Sequence, residues 1–112
     1  MALIVPNNGV SGGSDEVFEW RADFSLADDE AFELIFWKPG QDPLTQGFGL
    51  ASPTRQTRLI VDLPALDSRL GGLLDPGEYN WGVRVVKTDP YEPVEFLGNS
   101  RLFRYTTATT GI

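Results

Sequence analysis

The chain has 112 residues, with Lys+Arg 9 against Asp+Glu 16, a formal net charge of -7, and neither histidine nor cysteine. That length fits one domain, which buries roughly 65% of its unfolded surface and forms a core without a covalent staple. The missing residue types exclude a Ser-His-Asp or Cys-His nucleophile, an ordinary zinc site, a haem histidine and a disulfide framework.

The periodicity along the chain is two, which predicts strands. Phe18, Trp20, Ala22 and Phe24 alternate with Glu19, Arg21 and Asp23. After a turn at Leu26-Ala27-Asp28-Asp29, Phe32, Leu34 and Phe36 alternate with Glu33, Ile35 and Trp37, and Lys38-Pro39-Gly40 ends the run. Leu59, Val61 and Leu63 alternate with Arg58, Ile60 and Asp62, up to Pro64. A short helical turn is predicted within 64–74, where Leu66, Leu70 and Leu73 or Leu74 recur until Gly71-Gly72 interrupts them. Tyr79, Trp81, Val83 and Val85 alternate with Asn80, Gly82, Arg84 and Val86. A last run covers Val94 to Leu97, breaks at Gly98-Asn99-Ser100 and resumes over 101–106. Turn signals, among them Pro6-Asn7-Asn8-Gly9, Ser11-Gly12-Gly13-Ser14-Asp15, Asp75-Pro76-Gly77 and Asp89-Pro90, separate these runs. The pattern predicts an all-β fold, an antiparallel two-sheet sandwich of about seven strands over residues 1–106. Residues 107–112 read as the start of a linker.

Leu74-Asp75-Pro76-Gly77-Glu78-Tyr79-Asn80-Trp81-Gly82-Val83-Arg84-Val85 is the most specific segment. Pro-Gly turns tightly into a strand whose first aromatic, Tyr79, can bury its ring while its hydroxyl reaches back to the preceding connection. This resembles the tyrosine corner and F strand of fibronectin type III and related immunoglobulin-like domains. Ile4-x-Pro6-x-x-Gly9 then looks like strand A and its turn, and Phe18-x-Trp20 like strand B. Phe32-x-Leu34-x-Phe36 looks like strand C, Leu59-x-Val61-x-Leu63 like strand E, and Ser100-Arg101-x-Phe103 like the start of strand G. The Tyr79-x-Trp81 and Phe18-x-Trp20 pairs look most like modules of bacterial multidomain exported or surface proteins. Two connections are long for the family. Residues 38–56 have room for an extra strand around Phe48 to Ala51, and residues 87–100 can extend as a ribbon through Val94 to Leu97.

The chemistry candidates are few. The scattered cations pair only at Arg55/Arg58 and Arg101/Arg104, so neither nucleic acid nor insertion into a membrane is expected. The apolar opening, residues 2–5, stops at Pro6, short of a signal-peptide core of ~7–15 residues. The chain is read as a cytoplasmic protein or as a segment of a longer exported one. Asp28, Asp29 and Glu30 are adjacent, and Ca²⁺ binding there would need ligands from another loop. Gly47-Phe48-Gly49 lacks the third glycine of a dinucleotide fingerprint. No cofactor, metal site or catalytic residue is expected.

Aromatic parity is more informative. Trp20, Phe32, Phe36, Tyr79, Trp81 and Phe103 fall on the inward face. Ile35 and Trp37 fall on the opposite face, beside Arg84 and Val86 if the family strand order holds, with Tyr91 and Phe96 in the neighbouring 87–100 segment. Three readings follow. The 87–100 segment covers this face, with Gly82 leaving room for the Trp37 ring. Alternatively, Ile35, Trp37, Arg84, Val86, Tyr91 and Phe96 form an interaction surface for a neighbouring domain or another protein. In the third reading, the aromatics stack on a polysaccharide. The function expected is a non-catalytic structural or protein-interaction module of a larger exported or cell-surface protein, with a carbohydrate-binding module as the alternative.

Overall fold

The alternating aromatics at 18–20 and 32–36 become the facing surfaces of two sheets. The computed structural model describes residues 2–5, 10–12, 16–69 and 76–105. One sheet holds β1 (Ala2–Val5), β3 (Glu16–Arg21) and β6 (Arg58–Val61), in the antiparallel order β1-β3-β6. The second holds β2 (Val10–Gly12), β4 (Glu30–Trp37), β5 (Phe48–Gly49), β7 (Gly77–Thr88), β8 (Tyr91–Phe96) and β9 (Arg101–Tyr105). Its order is β2-β9-β7-β4-β5, and β8 pairs with β7 as an antiparallel hairpin partner off that path. The fold is therefore all-β, a two-sheet sandwich, as the alternation predicts.

The core forms where the inward faces meet. Phe18, Trp20, Phe32, Phe36, Tyr79, Trp81 and Phe103 are all buried in it. Phe18 meets Trp81 edge-on at 5.1 Å, and Phe36 stacks on Tyr79 at 5.1 Å with an interplanar angle of 19°. Each such pair contributes about 0.5–1.5 kcal/mol beyond the area it buries. The Tyr79 ring thus enters the core as the tyrosine-corner reading expects; most of the connection before it, residues 70–75, lies outside the described residues, as do 6–9 and 107–112.

Two connections carry short helices. In α2 (Leu63–Arg69), Leu63 and Leu66 point into the core. Its start is fixed by Asp62, whose Oδ1 accepts from Ala65 N at 3.3 Å. The expected helical turn is thus present, beginning one residue before Pro64. In α1 (Pro43–Gln46), Asp42 caps the turn by accepting from Leu44 N, and Pro43 opens it. The sequence reading has no helix here, although the extra strand it allows near Phe48 is present as β5.

One further detail differs from expectation. Ser11 and Gly12, read as a turn, belong to β2, which pairs in parallel with β9. Backbone pairing is all that such a strand requires, so side-chain alternation does not mark it. Asp28 and Asp29 lie in the turn between β3 and β4, and Glu30 opens β4. Glu30 Oε1 accepts from Ala27 N at 2.9 Å, while Arg55 donates to the carbonyls of Ala27 and Glu30. Among the described residues, no group of three or more Asp or Glu side chains is placed to hold a metal ion.

Candidate functional site

The outward side of β4 carries Ala31, Glu33, Ile35 and Trp37. Across β7 these oppose Val86, Arg84, Gly82 and Asn80. An outward sheet face is normally solvated, yet Ala31, Glu33, Ile35, Trp37, Arg84 and Val86 are all buried. The cover comes from the two long connections. Ile35 Cδ1 lies against the Gly47 backbone just after α1, and Trp37 meets Phe96 of β8 edge-on at 5.2 Å. The sheet is therefore buried on both faces, and this side holds a second, smaller apolar layer.

Ile35, Trp37, Arg84 and Val86 thus do not form the exposed patch that their parity allows. The 87–100 segment covers them, as the first of the three readings expects, and the α1 segment joins it. Phe96 is half-buried within the cover, and Tyr91 keeps an exposed ring edge while its hydroxyl turns inward. Gly82 is what makes the cover fit. A Cβ there would come 2.7 Å from the Asn99 carbonyl oxygen and 3.1 Å from both the Phe96 and Trp37 rings. Gly82→Ala should therefore lower stability by about 1–3 kcal/mol in denaturant unfolding, a cost of overpacking against backbone.

A polar cluster sits at the centre of this layer. Arg84 Nε donates to Glu33 Oε1 at 2.7 Å, and both side chains are nearly inaccessible to water. Arg84 Nη1 donates to the carbonyls of Pro43 and Leu44 in α1, and Nη2 donates to the Tyr91 hydroxyl at 3.0 Å. The Tyr91 hydroxyl donates in turn to Glu33 Oε1 at 2.6 Å. One guanidinium therefore joins β7, β4, α1 and β8. Its rigid fork of donors suits this role, which a lysine could not fill.

Comparisons of the sequence with protein-family models and curated proteins, and of the structure with solved structures, found no match. What the site does must be read from its own geometry.

Glu33 has a second oxygen with a different environment. Oε2 lies over Gly49, close enough that a Cβ there would approach it to 2.7 Å. Beyond it opens a depression of about 440 Å³, lined by Glu33, by residues 49–53 along the sheet edge, and by Leu66 of α2. Glu33 is the one titratable side chain lining it among the described residues.

Sequence reasoning passed over Glu33 and Gly49. A glutamate at an outward strand position reads as a solvated residue, and only the β4–β7 register sets it opposite Arg84. Gly47-Phe48-Gly49 stood out only as a failed nucleotide motif, whereas its glycines admit Ile35 and Glu33.

Burial of the Tyr91 hydroxyl, then its hydrogen bond to Glu33 and that carboxylate's charge, raise its pKa above the ordinary phenol value, against a smaller lowering by Arg84. A raised folded pKa gives stability that is complete below the unfolded value and lost as pH rises through the folded one. Folding stability should therefore decline above about pH 10. Tyr91→Phe should remove Tyr91's share of that decline and cost about 1 kcal/mol at neutral pH. Denaturant titrations of both proteins at neutral and alkaline pH check this.

Proposed function

We propose that the chain is a non-catalytic β-sandwich module, a spacer or protein-interaction unit of a larger bacterial exported or cell-surface protein. The observation that carries this reading is the use made of the polar residues. Arg84 spends its donors on Glu33, Tyr91 and the α1 carbonyls. These groups fasten the chain's own segments to the sheet instead of facing a substrate.

The strand grouping supports the fibronectin type III or immunoglobulin-like resemblance. β1, β3 and β6 form one sheet, and β5, β4, β7 and β9 lie side by side in the other. Those groupings match strands A, B, E and C′, C, F, G of that architecture. A polysaccharide platform draws less support, because Trp37, the largest ring on this face, is 5% exposed.

The test is to fractionate host cells carrying an epitope-tagged full-length gene. The reading expects the tag in the envelope or secreted fraction, on a polypeptide with further domains. A tag confined to the cytoplasm, on a polypeptide without further domains, contradicts it.

A further inference from the structure

We infer that the outer edge of β6 pairs with the same edge of a second copy of this chain, antiparallel about a two-fold axis, with Ile60 opposite Ile60. Trp20 N donates to the Thr57 carbonyl at 2.9 Å, and the register sets Phe18 opposite Leu59, Val17 opposite Ile60 and Glu19 opposite Arg58. Hydrogen-bonded and non-hydrogen-bonded pairs alternate along an antiparallel ladder. Leu59 therefore bonds to β3, while the N–H and C=O groups of Arg58 and Ile60 point away from it. Among the described residues β6 pairs with β3 alone, so those groups meet no further strand.

The side chains along this edge select the occupant. Leu59 and Val61 turn toward the core, which leaves Arg58 and Ile60 on the outer face. Both are exposed, Ile60 at 58%. Asp62, next in the alternation, is exposed as well and uses Oδ1 to cap α2. Glu19 lies opposite Arg58 within the chain, yet no ion pair joins them. A two-fold axis at Ile60 sets position 58 of each copy opposite position 62 of the other. Arg58 of each copy then meets Asp62 of the second copy, and the two Ile60 side chains meet between these ion pairs. Directly opposed residues of antiparallel strands interact in this way, and opposite charges there are favourable. The same register lets the two Ile60 residues exchange their N–H and C=O groups. The edge of β8 suits a second copy less, because it carries Glu92, Pro93 and Glu95 and no cation, devices that keep an edge unpaired.

The inference is independent of the exported-module reading, which the fractionation tests. Four strand residues a side make a small interface, so the association is weak and reversible. The test is sedimentation equilibrium of the native chain, which should be mostly dimer at about 1 mM and mostly monomer at about 10 μM, for a Kd of about 100 μM. Arg58→Glu opposes like charges at both ends of the pairing and should raise that Kd by at least about tenfold. Asp62→Arg should do the same with the opposite sign of charge. An equimolar mixture of the two variants should form a heterodimer, since every 58–62 contact between them joins opposite charges. A native chain that stays monomeric at about 1 mM would overturn the inference. So would a folded Arg58→Glu variant that associates like the native chain, or a mixture that associates no better than its separate components. Asp62→Arg also removes the α2 cap. If that variant does not fold, the native chain and Arg58→Glu decide alone.

Discussion

Replacing Arg84 with methionine should cost about 3–5 kcal/mol of folding stability. The substitution keeps an unbranched stem but removes every donor of the guanidinium. Glu33 then remains buried with only the Tyr91 hydroxyl on Oε1, and the Pro43 and Leu44 carbonyls lose their donor. The penalty comes from the stranded charge and acceptors more than from any net gain of the intact pair, since burying two ions also costs desolvation. That distinction is measurable. The double variant Glu33→Leu/Arg84→Met should be more stable than Arg84→Met alone, because an apolar pair leaves no charge unpartnered. A loss below about 1 kcal/mol for Arg84→Met would mean that the pair is solvated like an ordinary surface salt bridge.

Trp37→Ala should also cost about 3–5 kcal/mol, the cost of emptying a packed aromatic site. The indole lies between β7 at Gly82 and β8 at Phe96, so its loss opens space beneath the cover. The expectation differs sharply from that for an exposed ring, where the same change would be nearly neutral. Denaturant midpoints with an unchanged slope would attribute the loss to the folded state.

The legibility of the fold follows from the range of the signals. Alternation at Phe18/Trp20, Phe32/Leu34/Phe36 and Tyr79/Trp81 is local, and it assigns the core directly. The Gly82 reading succeeds for a similar reason, since a glycine among β-branched and aromatic neighbours marks a close approach. The polar cluster is not local. Glu33 and Arg84 stand 51 positions apart, and Glu33 and Tyr91 stand 58 apart, so only register brings them together. β2 is hidden because its partner is the far end of the chain, Val10 opposite Phe103. α1 is a single capped turn, too short for any period to appear. The site residues Ile35, Trp37, Arg84 and Val86 were therefore visible as a group, while their burial depended on two connections whose course period-two patterning does not encode.

The central claim is that the outward face of the second sheet is closed by the chain's own α1 and β8 segments. Fluorine NMR of the protein labelled with 5-fluorotryptophan tests it most directly, with Trp37 assigned through a Trp37→Phe variant. The account predicts that the Trp37 resonance, like those of Trp20 and Trp81, scarcely moves when H₂O is replaced by D₂O. A Trp37 solvent-isotope shift approaching that of free 5-fluorotryptophan would show an open face and contradict the account.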